Sequence, residues 1–171
     1  KSPGVMLLHG FPGAERSADV ARALVRGGFV VFTLHFRGAW GSDGEYAFRN
    51  LVDDARAGLD YLAAREGVDP KRLGVMGYSM GGYVALLLAK SNPELVGQII
   101  TLGTKLAWNP HDAAKEIAKL NPEIIEQKVP QYAQALQKLH GDAWKGVLEK
   151  TAILMSDLGA NPALTDDFFQ S

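Results

Sequence analysis

What most constrains this chain is an alternation. From Val5 to Gly103, short apolar runs rich in β-formers are separated by longer stretches with helical periodicity. The runs are VMLLH (5–9), FVVFTLH (29–35), RLGVMGY (72–78) and GQIITLG (97–103). Each is too apolar to leave one face in water, so each predicts a parallel strand buried on both sides, with helices crossing between them. Between the second and third runs, Leu51, Ala55, Leu59 and Leu62 recur at helical spacing and predict a helix ending near Gly67. The segment MGGYVALLLAK (80–90) is apolar nearly all round, which predicts a central helix pressed into the core.

Beyond Gly103 the strand signals stop and a series of helix starts follows. Asn109-Pro110 and Asn121-Pro122 supply a cap and a proline for the first turn, Asp142 reads as a further cap, and Thr165 precedes two aspartates. Trp144, Val147, Leu148, Thr151, Leu154, Met155 and Leu158 share one stripe, and Val129, Ala133, Leu136 and His140 share another. The expected organisation is an α/β core over residues 1–104 and a helical lid over 105–171. A chain of 171 residues is long enough for a real core, burying about 70% of the surface its unfolded form exposes.

Composition narrows the function classes. The formal charge is −1 and no Lys/Arg cluster stands out, which argues against a nucleic-acid or membrane surface. No apolar run is long enough to span a bilayer. Without cysteine there is no disulfide, thiolate metal site or cysteine nucleophile; no metal-ligand spacing occurs, GSDGE (41–45) is a turn signal rather than a phosphate loop, and no cofactor is expected. The first residue is Lys1 rather than methionine, which leaves a leader segment an open question; the expected location is cytoplasmic.

The chemistry concentrates at GVMGYSMGG (74–82), where a strand pattern turns into a helix pattern with one serine at the corner. A serine hydroxyl needs exposure, a base and donors for the developing oxyanion before it becomes a useful nucleophile. Gly77 and Gly81 lack the β-carbons that would hold strand and helix apart around Ser79, and the following helix start makes the Met80 amide a natural oxyanion donor. A second glycine-rich turn, HGFPG (9–13), closes the first strand and offers the Phe11 amide as the other donor. From the residues alone, Ser79 is either an activated nucleophile or part of a merely structural turn.

LLHGFPG, HFRGAWGSDGEY and GVMGYSMGGYVAL together resemble the α/β-hydrolase superfamily, in particular its bacterial esterase and dienelactone-hydrolase-like branches. The resemblance implies that Ser79 is the catalytic nucleophile, that Phe11 and Met80 form the oxyanion hole, and that His9 and Gly10 belong to its supporting turn, as Gly77 and Gly81 do to the serine corner. It implies that the predicted strands are the third to sixth of the family sheet, in the spatial order fourth, third, fifth, sixth. It further implies that the triad acid and histidine follow on strands beyond residue 171, so that the chain reads as truncated at both ends. GQIITLG would then be an apolar edge strand, open to pairing with a second copy unless something covers it.

The internal alternatives are less suited to that chemistry. His9, His35, His111 and His140 each read as structural, Asp53 and Asp54 as acids of a helix's first turn, and Asp157, Asp166 and Asp167 as members of lid helices. Arg37 reads as holding its own loop, with a substrate carboxylate as the other option. Trp108 and Trp144 are candidates for lining a substrate pocket, against the alternative of plain core. The expected function is cleavage of a carboxylic ester or related acyl bond in a small-molecule substrate through a Ser79 acyl-enzyme. The rival is a binding protein that keeps the fold without turnover, or an inactive fragment.

Overall fold

The computed structural model describes residues 1–13 and 17–169. Its chain order is β1 (Ser2–Leu8), α1 (Ala18–Arg26), β2 (Val30–Leu34), α2 (Phe48–Ala63), β3 (Val68–Tyr78), α3 (Met80–Ser91), β4 (Gln98–Leu102), then α4 (Pro110–Ile117), α5 (Pro122–Lys128), α6 (Pro130–His140) and α7 (Trp144–Ala160), with short 3-10 turns at Ala118–Leu120, Gly141–Ala143 and Asp166–Phe169. By internal contacts the chain divides into two units. The first comprises Lys1–Gly10, Glu15–Phe36 and Arg49–Lys105; the second comprises Phe11–Ala14, Arg37–Phe48 and Leu106–Ser171.

The first unit is built on a four-stranded sheet of order β2-β1-β3-β4, parallel throughout. This is the order that the resemblance implied. Met6 pairs with Phe32 on one side and Val75 on the other, and Val75 pairs in turn with Ile99. The register between β1 and β3 slips at Pro3/Gly4, so β3 starts at Val68, earlier than its apolar run suggested. Helix α2 buries Leu51, Ala55, Leu59 and Leu62 as the periodicity predicts, and Gly58 lets it approach closely: a β-carbon there would lie 3.0 Å from Met6 Sδ.

Three expectations need correction. Helix α2 begins at Phe48, so Asp53 and Asp54 stand beyond its first turn and the helix dipole does not account for them; Asp54 is buried. Strand β4 does not bury both faces as its run predicted: Ile100 is 59% and Leu102 54% exposed, and β4 is instead the apolar edge strand that the resemblance implied. Asp142 lies inside the 3-10 turn Gly141–Ala143, and Ala143 stands at the start of α7.

In the second unit the asparagine caps form as expected. Asn109 Oδ1 accepts from the Asp112 amide at 2.9 Å and Asn121 Oδ1 from the Ile124 amide at 2.8 Å, each followed by proline at the first helical position. A core of Ile125, Ala133, Leu136, Trp144 and Leu148 joins α5, α6 and α7. Val129, which the stripe placed inside, is exposed at the start of α6. Among the described residues no helix is long and apolar enough to cross a membrane.

The open β4 edge yields a test. An edge strand with exposed isoleucine and leucine is a template for association, and an inserted lysine blunts it. Ile100→Lys is expected to reduce concentration-dependent association in light scattering while leaving the thermal midpoint unchanged; increased association would refute this account of the edge.

Candidate active site

The corner at Ser79 follows from strand and helix meeting without a loop. β3 ends at Tyr78 and α3 begins at Met80, leaving Ser79 alone to reverse the chain, with φ 52° and ψ −120°. An L-residue at positive φ is strained, and such strain persists only where the surroundings over-determine it. Here backbone packing does so. A β-carbon on Gly77 would fall 2.3 Å from the Gly81 carbonyl group, and one on Gly81 would fall 2.4 Å from the Leu8 carbonyl oxygen and 2.6 Å from that of His9. Strand β3, helix α3 and the end of β1 thus touch through bare backbone.

Hydrogen bonds fix the same corner. The Ser79 amide donates to the Leu102 carbonyl at 2.8 Å, and its carbonyl accepts from the Gly82 amide at 3.1 Å and from the Thr104 hydroxyl at 3.0 Å. Thr104 was legible only as the place where strands give way to helices; its hydroxyl rests against α3, where a β-carbon on Gly82 would meet it at 2.0 Å. The Ser79 side chain makes no capping bond to α3 and is half-buried, leaving its oxygen uncommitted to the helix. Met80, buried, stands at the first helical position, where backbone amides lack intrahelical acceptors and the helix dipole is positive.

His9 and Gly10 pack on this corner from β1. A β-carbon on Gly10 would fall 2.9 Å from Ser79 Cβ, so residue 10 lies directly against the serine. His9 is buried; its Nε2 accepts from the Phe36 amide at 3.4 Å, leaving Nδ1 to carry the proton and donate to the Gly10 carbonyl at 2.9 Å. Both ring nitrogens serve backbone groups, which makes His9 a brace of the turn. His35, exposed, sets its ring edge-on to His9 at 6.2 Å. His111, also exposed, stands in the first turn of α4.

The remaining candidates lie in the second unit. Phe11 is buried with its ring against Tyr46, centroids 4.7 Å apart. His140, buried at the end of α6, accepts from the Trp40 amide through Nδ1 at 3.2 Å and donates through Nε2 to the Pro12 carbonyl at 3.0 Å. Burial holds its pKa below the usual histidine value, against the opposing pull of the Pro12 and Gly13 backbone. Tyr46 is almost wholly buried; burial pushes its phenol pKa up, only partly offset by neighbouring Thr151, whose own proton goes to the Val147 carbonyl at 2.7 Å. GSDGE (41–45), predicted as a turn, lies in the irregular 37–46 segment, with Gly38, Gly41 and Gly44 at positive φ and the Arg37 stem against Gly44.

The two tryptophans part company. Trp144 sits in the apolar core with Lys145 Nζ 5.3 Å from its ring centroid, the plain-core alternative of the two that its sequence position offered. Trp108 lines a cavity of about 530 Å³ with Leu106, Pro162, Leu164 and Phe169. A second cavity, about 400 Å³, lies in the first unit among Gly4, Phe29, Leu73 and Gly97, at the strand ends opposite Ser79. Asp157, Asp166 and Asp167 are exposed, and among the described residues no His, Cys, Asp or Glu group could hold a metal.

Known proteins share this fold. The family described as serine aminopeptidase, S33 matches residues 3–165. The chain belongs to that family of α/β hydrolases. It is 39% identical over 74 residues to the α/β hydrolase domain-containing protein WAV2 of Arabidopsis thaliana, a match covering 43% of this chain and 24% of the relative. An uncharacterized protein of Mycobacterium tuberculosis is 37% identical over 93 residues, 53% of this chain and 33% of its own. The matched segments thus span about a quarter to a third of these relatives. Among solved structures, a carboxylesterase of Nitrososphaera gargenis superposes with TM-score 0.70 at 15% identity, covering 99% of this chain and 67% of that one. Est1E of Butyrivibrio proteoclasticus, solved with ferulic acid bound, gives 0.58 at 25% identity over 67% and 47% of the two chains.

Two outcomes test the geometry. Because its β-carbon would meet fixed carbonyls, Gly81→Ala is expected to cost about 3 kcal/mol in urea unfolding; a cost near zero would contradict the close packing. The depressed His140 pKa means that the unfolded chain binds the proton first. Its contribution is therefore full above pH 6.5 and is lost as pH falls below that value toward the folded-state pKa. His140→Gln should flatten this part of the stability profile, and an unchanged slope would assign it to other groups.

Proposed function

We propose that the protein is a serine hydrolase that opens a carboxylic ester or related acyl bond through an acyl-enzyme on Ser79. The observation that carries the reading is the corner itself: a strained, half-buried serine whose hydroxyl caps nothing, at the start of a buried helix, on backbone packed too tightly for any β-carbon at Gly77 or Gly81. Spending strain to present an unused hydroxyl makes sense for a nucleophile and has no purpose in a plain turn. Family membership and esterase-like structures support the same class.

In this reading the Ser79 oxygen attacks the acyl carbon, and the carbonyl oxygen gains negative charge. The Met80 amide, at the positive end of α3, supplies one donor. The Phe11 amide supplies the second; supporting this, Phe11 follows Gly10, which lies against Ser79. The alcohol leaves, and water releases the acid by the reverse path. The proton of Ser79 needs a base other than His9 and His140, whose ring nitrogens already serve backbone groups.

That commitment of both histidines is also what favours a second reading, a binding protein that keeps the corner without turnover. Treating the intact protein with a fluorophosphonate probe separates the two. Rapid labelling that disappears in Ser79→Ala is the expected result, whereas a wild-type protein that stays unlabelled would leave the binding reading standing.

A further inference from the structure

We infer that the cavity beneath the strand starts of the first unit binds a small organic anion, a carboxylate carried on an apolar body. The inference is independent of the serine-hydrolase reading, because it concerns the strand ends opposite Ser79 and residues of the first unit alone. The cavity holds about 400 Å³, a size that suits a small molecule. Val5, Phe29 and Leu73 give it apolar wall, and Lys71 and Arg72 bring two cations to the same space.

A break in the sheet puts the cations there. Pro3 pairs with Asp69 but the next residue of β1, Gly4, pairs with Leu73, so Pro70, Lys71 and Arg72 have no counterpart on β1, and pairing with β4 starts only at Gly74. Successive side chains of a regular strand point to opposite faces, and a bulge re-aims them. Here it lets two consecutive cations line one cavity. The Asp69 carboxylate accepts from the Lys71 amide at 3.1 Å, which holds the bulge in shape. Among the described residues, neither the Lys71 nor the Arg72 side chain has a hydrogen bond or ion pair. Two like charges brought side by side repel each other, and an anion between them relieves the repulsion.

Gly74 is a second, independent sign of a ligand. It lies inside β3, where glycine weakens a strand, yet it does not stand at positive φ. A β-carbon there would meet only the Gln98 carbonyl oxygen at 3.5 Å and Val5 Cγ2 at 4.0 Å, ordinary contact with two residues of the cavity wall. Neither backbone conformation nor close packing therefore calls for glycine at this position. What the missing side chain leaves is room in the cavity.

The experiment follows the backbone amide shifts of Gly4, Leu73, Gly74 and Gly97 by NMR as phenylacetate is added to the intact protein. Phenylacetamide, its neutral analogue, and inorganic phosphate, an anion without an apolar body, serve as comparisons. Phenylacetate is expected to give saturable shifts centred on these residues and to bind about tenfold or more tighter than either comparison. Replacing both cations, Lys71→Ala with Arg72→Ala, should weaken it by about the same factor, and Gly74→Val should abolish it by filling the space. The double alanine variant changes exposed residues only, so it decides the matter should the valine variant not fold. Absence of saturable shifts overturns the inference, as does unchanged binding in the double alanine variant. Phenylacetamide binding as tightly as phenylacetate overturns the role of charge, and phosphate doing so overturns the role of the apolar wall; either result sinks the assignment and leaves the hydrolase reading untouched.

Discussion

The first unit depends on a backbone contact rather than on any side chain. At the end of β3 the strand backbone at Gly77 lies against the helix backbone at Gly81 and Gly82, and the helix in turn lies against the last carbonyls of β1. Everything else at the corner is a consequence. With no loop between Tyr78 and Met80, the residue between them must take an unfavourable φ, and the energy to hold it there comes from the buried apolar helix that follows. Met80, Tyr83, Val84, Leu87 and Leu88 are all buried, so releasing the strain at Ser79 would require pulling that helix from the core. The serine is displayed because the alternative costs more.

How much of this could be read from the chain depends on whether the signal was local. The order and direction of the strands were legible because apolar runs separated by helical periodicity admit few topologies, and the motif resemblance selected one. The caps at Asn109 and Asn121 were legible because a cap and its proline are adjacent in sequence. The glycine pair around Ser79 could be read for the same reason. What escaped was decided at long range. Whether Ile100 and Leu102 are covered depends on what stands beside β4; the run GQIITLG does not encode this by itself, and only the resemblance implied an open edge. Trp144 has the pattern of a core residue and of a pocket wall alike, and only packing against Leu136 and Leu148 distinguishes them. Asp53 and Asp54 were misplaced because the start of α2 carries no cap signal, so its first residue could not be located.

The histidines show the same limit and carry a mechanistic consequence. His9 and His140 were legible as structural from their surroundings, yet the reason lies in pairings that sequence separation hides: His9 with Phe36, 27 residues away, and His140 with Pro12, 128 away. In both cases a neutral imidazole gives its proton to one backbone carbonyl and takes a hydrogen bond from one backbone amide. No other common side chain offers a rigid donor and acceptor on opposite edges of a small ring. That makes histidine suited to stapling two irregular segments, and it disqualifies the same ring as a base, since accepting a proton would remove the acceptor that one of the segments requires. A protein that uses its buried histidines as staples must draw its proton acceptor from elsewhere. In the proposed serine-hydrolase reading, the group that activates Ser79 is therefore neither of these two rings.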